Sequence, residues 1–409
     1  MFSPHFSQEL HTYPFSSENL LNTLKRTMDE YRRIPNFSIP VDTLQSFSAS
    51  TGKPKLILLG TSFFATLLIT ELEAHAEFLA VVDDFRARRG DQFNGLDIIT
   101  SEQLIALKTL HPQLITVNCC RVDYSNRYFA DLTRHANIPC INFEEAMRLF
   151  ENPKHADHRV ADWGPDISNR FDEFLQLGNL LSDEYSKQTL YSVLLFHLTC
   201  NHEWHANISR PYSTLYFRTG LFTFSDKEKL VDCGASIGES TSALIGTTQG
   251  QFAHSWMIEP DKFNIETLQK LMRKYKNTPI EQKLSLLPYA VGESEAEVEF
   301  IHQGGHGGMI APAGASLGES GKVHVNSIDN LIDDSPTFIK MDIEGAEMSA
   351  LRGAENTIKS AHPKLAVSAY HRSTDLIDIV KFIQSLNSDY RIGLRHHTED
   401  RWDTCLYFY

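Results

Sequence analysis

The sequence predicts an α/β protein with two Rossmann-like, doubly wound sheets in tandem. Two observations carry this expectation. From residue 55 to about 143, short apolar runs (LILLG, FLAVVDD, QLITVNC, CINF) alternate with segments of helical length, and the alternation resumes at residue 229. Parallel strands need crossover helices between them and, being buried on both faces, read as continuous apolar runs, so this pattern is their signature. The second observation is length: 409 residues exceed one domain of about 150 and leave room for two or three.

Taken in order, residues 1–50 are polar with scattered aromatics, and 17–33 carries apolar side chains at helical spacing (Leu20, Leu21, Leu24, Met28, Tyr31) before Pro35 and Pro40 stop it. This is an N-terminal helical extension. Residues 51–150 form the first sheet, with helices expected near 63–74, 101–109 and 128–135. Residues 151–225 open with polar turns (Asn152, Pro153, Gly164, Pro165) and continue as helices near 171–181 and 186–200, a helical connector. Residues 226–409 return to strands: KLVDCG, SWMIEP, SLLPYAV, VHVNSID, FIKMDIEG, LAVSAYH, YRIGLRHH and TCLYFY. Only a short polar turn, 398–403, separates the last two, so they should close as an antiparallel hairpin.

Composition narrows the function classes. The hydrophobic share of 42% is that of an ordinary globular chain. Lys and Arg number 38 against 52 Asp and Glu, a net charge of −14, and no basic face for nucleic acid is expected. The six cysteines contain no CxxC pair, which fits reduced thiols in a cytoplasmic protein. The first residues lack the basic and apolar regions of a secretory signal. The strongest apolar stretch, 56–70, is broken by Gly60 and falls short of the roughly 20 residues of a membrane span.

The segment LVDCGASIGEST has the layout of a nucleotide site: a strand ending at Asp232, a turn with Gly234, Ala235 and Gly238, and a helix from about Glu239. Its G-x-x-x-G spacing lacks the glycine that admits a pyrophosphate, so an adenosine cofactor without one fits better than NAD. Glu259 ends the next strand, where an acid can accept both ribose hydroxyls. Together these point to S-adenosylmethionine. The plainer reading of both glycines is a tight turn with close helix packing. Leu287, Tyr289 and Ala290, at the end of the third strand, stand where an adenine ring would rest.

The second dense segment is FIKMDIEGAEMSALRGAE. Lys340, Asp342 and Glu344 alternate at the end of a strand and can point together into the cleft, with Asp342 and Glu344 as catalytic candidates and Asp342 also a cofactor-binding one, facing the methionine end of the cofactor or the acceptor hydroxyl. The plainer reading pairs Lys340 with Asp342, has Glu344 cap the following helix, and gives Glu347 to the helix dipole or to Arg352. His371 ends the next strand and is a candidate base for an acceptor hydroxyl, as is Asp342. Adding His396 and His397 makes an oxygen and nitrogen donor set, but no ligand spacing supports a metal and none is expected. The glycine-rich stretch 304–321 reads as a lid, a substrate loop or a flexible spacer; no Lys-Ser/Thr follows it to make a P-loop.

Residues 216–409 resemble the FkbM family of S-adenosylmethionine-dependent methyltransferases. The resemblance rests on LVDCGASIGEST, MIEP, YAVGE, FIKMDIEGAEMSALRGA, and PKLAVSAYH with RHH-x(5)-DTCLY. It implies a class I methyltransferase sheet with a final antiparallel strand, and O-methylation of a sugar, polysaccharide precursor or natural product. It carries cofactor binding to Asp232, Gly234, Gly238 and Glu259, and a cleft role to the Asp342 and Glu344 cluster. The partners it implies are a small-molecule or glycan acceptor; a homo-oligomer stays open. The first sheet keeps only Gly60 of a dinucleotide fingerprint, with Asp83 and Asp84 ending its second strand. It looks like the degenerate Rossmann-like domains attached to sugar-modifying transferases, and bulky Phe63 and Phe64 favour a structural or partner-binding role over NAD. The alternatives are a scaffold with a vestigial methyltransferase sheet and an NAD-linked enzyme using the first sheet.

Overall fold

The computed structural model describes residues 16–39, 52–121, 124–149, 160–306, 308–311 and 319–409. By internal contacts the chain divides into two compact units. One contains Glu18–Asn169 and Ser192–Asn207, the other Met1–Ser17, Arg170–Tyr191 and Ile208–Tyr409.

In the unit containing Glu18–Asn169, the helix Ser17–Arg33 buries Leu20, Leu24, Met28 and Tyr31, the stripe that its spacing predicts. Six strands follow: β1 Lys55–Leu59, β2 Glu77–Val82, β3 Gln92–Phe93, β4 Leu96–Ile99, β5 Ile115–Asn118 and β6 Cys140–Asn142. They lie in the order β3-β4-β2-β1-β5-β6, parallel except for β3. Ile57, Leu59, Val82, Leu104, Leu114 and Phe129 pack together as a core. The helix expected near 128–135 begins earlier and spans Tyr124–His135. Only Phe129 and Thr133 of it are buried, so its first turn carries no apolar periodicity to read.

The other unit is built on seven strands: β7 Lys229–Cys233, β8 His254–Ile258, β9 Leu284–Leu287, β14 Phe338–Met341, β15 Lys364–Ser368, β16 Ile392–His396 and β17 Thr404–Phe408. Between β9 and β14 come β10 Ala290–Val291, β11 Ala296–His302, β12 Met309–Ile310 and β13 Glu319–Asn326. The main sheet has the order β16-β17-β15-β14-β7-β8-β9. Its strands are parallel except β17, which runs antiparallel between β15 and β16. The predicted hairpin is therefore present, with its last strand inserted into the sheet. Helices Glu239–Thr247, Lys262–Lys274 and Asp375–Leu386 follow β7, β8 and β15. Since β7 is flanked by β8 on one side and β14 on the other, the crossovers reverse beside it, and the crevice at the carboxyl ends of β7 and β14 is where such sheets bind ligands.

The run VHVN does not join this sheet. It belongs to β13 of a four-stranded sheet ordered β10-β13-β11-β12. Its burial alternates, with His324 exposed between buried Val323 and Val325, whereas every residue of β14 is buried. Alternation is the mark of a sheet with one wet face. Among the described residues no helix is long and apolar enough to cross a membrane.

Candidate active site

The turn after β7 is fixed by the protein itself. Gly234 has φ +72°, and a Cβ there would lie 2.0 Å from the Asp342 carbonyl oxygen. Gly238 has φ +93°, and its Cβ would meet Leu271 at 2.5 Å. Both positive φ values favour glycine, and at Gly234 the rigid Asp342 backbone also leaves no room for a side chain, whereas at Gly238 the close atom is the movable end of Leu271. Beneath the turn, Lys340 Nζ donates to the carbonyls of Gly234 (2.6 Å) and Cys233 (3.2 Å) and lies 3.3 Å from Asp232 Oδ1. The Thr241 hydroxyl donates to Asp232 Oδ2 at 3.2 Å. Burial raises the Asp232 carboxyl and works against the Lys340 charge, but the Asp232 and Asp342 carboxylates together hold Lys340 above its ordinary value. The expected pairing of Lys340 with Asp342 is thus replaced by one with Asp232, because Lys340 lies beside Asp232 in the β7–β14 register.

Glu259, just past β8, is 4% exposed. Its Oε2 accepts from the Ser236 backbone N–H at 2.7 Å and its Oε1 from that of Asp261 at 2.9 Å. These two amides and the Asn264 side chain take up part of the carboxylate's roughly four acceptor sites and leave room for a ligand hydroxyl. Burial nevertheless raises the carboxyl to about 7. Ser236 sits at φ +48°. Its hydroxyl donates to the Gly305 carbonyl at 2.9 Å, and Asn264 holds Gly305 through both its amide (2.9 Å) and its carbonyl (2.7 Å). The amides of Gln303 and Gly304 donate to Asp261 Oδ2, and His306 Nε2 lies 3.2 Å from Glu239 Oε1. The beginning of the glycine-rich stretch is therefore fastened to the turn; residues 307 and 312–318 lie outside the described residues.

Beyond β14 and β15 lies a second cluster. Asp342 accepts from the Tyr216 hydroxyl (2.9 Å) and the Tyr370 hydroxyl (3.1 Å). His371 places Nε2 at 3.7 Å from Asp342 and 3.5 Å from Glu344, and Nδ1 at 3.0 Å from Glu347. Burial disfavours charge on His371, but the Glu347 and Glu344 carboxylates outweigh it and hold the imidazole well above its ordinary value. Burial raises the Asp342 carboxyl, but the Lys340 and His371 charges bring it below the ordinary range. Glu344, left-handed at φ +55°, is raised by burial.

The structure brings Asp342, Glu344 and His371 together, and Asp232, Gly234, Gly238 and Glu259 around one turn. Ala235 is 2% exposed and packs in the core beneath it. Ala290 stands elsewhere than expected: β9 ends at Leu287, and Ala290 belongs to β10 and packs with Phe300, Val323 and Val325 in the small-sheet core. Glu344 caps no helix, since the next helix begins at Glu347 and its N-cap, Ala346, has no side-chain bond. Glu347 is 1% exposed and accepts from the Ile343 amide at 2.9 Å, turned to His371 and not to Arg352, which reaches Glu293. His396 and His397 stand apart from this cluster. His396 bonds Thr404, while His397 bonds Thr214 and Tyr407 and is lowered to about 3 by burial. The sequence reading missed Tyr216 and Tyr370; Tyr370 stood beside His371 in SAYH, but Tyr216 precedes the sheet and no spacing ties it to Asp342.

The model of the methyltransferase FkbM domain matches residues 232–392. Among curated proteins the sequence has no match. Among solved structures the chain is similar to a methyltransferase FkbM from Methylobacillus flagellatus KT, with 44% identity and a TM-score of 0.86 over 96% of this chain and 100% of that one. A precorrin-6y C5,15-methyltransferase from Geobacter metallireducens GS-15 aligns with 49% of this chain and 95% of its own, at 11% identity and a TM-score of 0.28, too low to carry an argument. Motifs, strand order and near-complete coverage at this identity agree, and the chain belongs to the FkbM methyltransferase family.

Proposed function

We propose that this methyltransferase uses S-adenosylmethionine to methylate a hydroxyl group of a sugar, polysaccharide precursor or related natural product. The observation that carries the reading is Glu259: a buried carboxylate at the end of the second strand of the main sheet, held beside the Gly234–Gly238 turn by the Ser236 and Asp261 amides. That arrangement fits the two hydroxyls of an adenosine ribose. Asp232 acts through Lys340 to hold the turn, and the Gly234 and Gly238 positions give it its shape. When bound, S-adenosylmethionine supplies an electrophilic methyl group on a sulfonium centre.

The chain's own work is then to align an acceptor and remove its proton. Asp342 is the group to receive it: its carboxyl is held ionised, and two tyrosine hydroxyls fix its orientation. A carboxylate suffices because the hydroxyl becomes strongly acidic as its oxygen gains the methyl carbon. His371 already carries a proton among its carboxylates and positions them instead of acting as the resting base. Calorimetry with S-adenosylhomocysteine tests the cofactor assignment. Binding should weaken at least tenfold in Glu259→Ala, and unaltered binding would overturn the ribose role. Asp342→Asn should keep the cofactor product bound and lose methyl transfer.

A further inference from the structure

Glu347 and His371 are left incompletely satisfied by everything derived so far. The His371 side chain is 7% exposed and that of Glu347 1%. The contacts of His371 with its carboxylates, at 3.0–3.7 Å, are ion pairs without well-aligned hydrogen bonds, and among the described residues Glu347 Oε2 has no hydrogen-bond partner. Buried polar atoms are rarely left so unless something else meets them. Asp342, Glu347 and His371 each offer a ligand atom, and these atoms all lie within 4.8 Å of one another. The 3.0 Å between His371 Nδ1 and Glu347 Oε1 is also the edge of an octahedron with metal–ligand bonds of about 2.1 Å.

We propose that Asp342, Glu347 and His371 form a binding site for one divalent transition-metal cation. The donor set decides the class: two carboxylates alone would suit magnesium or calcium, whereas an imidazole among them favours manganese, iron, cobalt or zinc. The charges agree, since Asp342, Glu344 and Glu347 surround a single imidazole, so the cluster keeps an excess of negative charge even with His371 protonated. A cation displaces the proton of one ring nitrogen and gives that nitrogen and the two carboxylates a common partner, the other nitrogen keeping its N–H. Glu344, 32% exposed and 3.5 Å from His371, stands beside the ligands. Three protein ligands leave further positions open. An acceptor hydroxyl taken there would be made more acidic and set beside Asp342. This last step rests on the methyl-transfer reading above; the metal site itself does not.

Manganese alone is the probe, added to the full-length protein after chelator treatment and followed by electron paramagnetic resonance. One equivalent should bind, with the nitrogen modulation of a coordinated imidazole. His371→Ala should abolish the modulation, and Glu347→Gln, which keeps the acceptor for the Ile343 amide, should weaken binding at least tenfold. Thermal unfolding confirms that the variants are folded, and Asp342→Asn serves as a third ligand change should either fail. S-adenosylhomocysteine binding by the same variants should be unchanged, so that loss of metal and loss of the cofactor site are told apart. Absence of stoichiometric binding in the wild type, or binding and nitrogen modulation unaltered in the folded variants, would overturn the site.

Discussion

At the scale of single residues, Glu259 has two opposed pH dependences. Its carboxyl is raised from 4.5 to about 7, so between those values the folded chain holds a proton that the unfolded chain has released. Its contribution to stability is therefore full below 4.5 and declines as pH rises to about 7, by on the order of 3 kcal/mol. Ribose binding needs the ionised form and runs the other way, with S-adenosylhomocysteine held about tenfold more weakly at pH 6 than at pH 8. Glu259→Gln should flatten both curves, and calorimetry across that range measures both; a wild-type affinity independent of pH would contradict the assignment. Lys340 supplies a second prediction. It is 5% exposed at its side chain and faces a fully buried Asp232, so Lys340→Met strands a buried carboxylate and should cost about 3–5 kcal/mol in denaturant unfolding. Glu259 was legible in the sequence because an acid at the end of a second strand has a fixed place in such sheets. The partner of Lys340 was not, since it depends on the register between β14 and β7, strands more than a hundred residues apart.

At the scale of elements, the turn between β7 and the helix Glu239–Thr247 shows why a motif can be right for more than one reason. A methyl group on Gly234 would collide with the Asp342 carbonyl, and the φ of +72° adds its own strain. Gly234→Ala should thus lower stability by about 2–4 kcal/mol even without ligand. Unchanged denaturant stability together with lost S-adenosylhomocysteine binding would instead mean that the glycine serves the ligand alone. The terminal hairpin could be read from a short polar turn between two apolar runs. That β17 would insert between β15 and β16 could not, because local sequence does not record which edge a strand takes. The second-cluster residues show the same limit: Asp342 follows β14, Glu347 opens a helix, and His371 follows β15, so the cluster exists only once the parallel pairing of β14 with β15 brings their ends together.

At the scale of the whole molecule, the chain carries two sheets of related design, and each can be judged by the acid after its second strand. After β2, Asp83 Oδ1 accepts the amides of Phe85 (3.1 Å) and Arg86 (3.0 Å), while Oδ2 accepts the Thr61 hydroxyl at 2.7 Å. Asp84 is engaged by the amide and hydroxyl of Ser101 at 2.8 and 2.6 Å. Both acids are committed to capping and turn bonds, and Phe63, 66% exposed, opens the helix where a pyrophosphate would sit. Glu259 differs in that it caps no helix: Asp261 caps the one after β8, its Oδ1 taking the amides of Phe263 and Asn264. If the first sheet is structural or partner-binding, as we propose, the two cofactors should separate cleanly. S-adenosylhomocysteine should raise the melting temperature of the full chain and slow amide exchange across 232–240 and 256–262, whereas NADH should neither shift melting nor show a binding fluorescence change. Saturable NADH binding, with protection around 59–64 and 82–86, would return dinucleotide chemistry to the first sheet and overturn this division of labour.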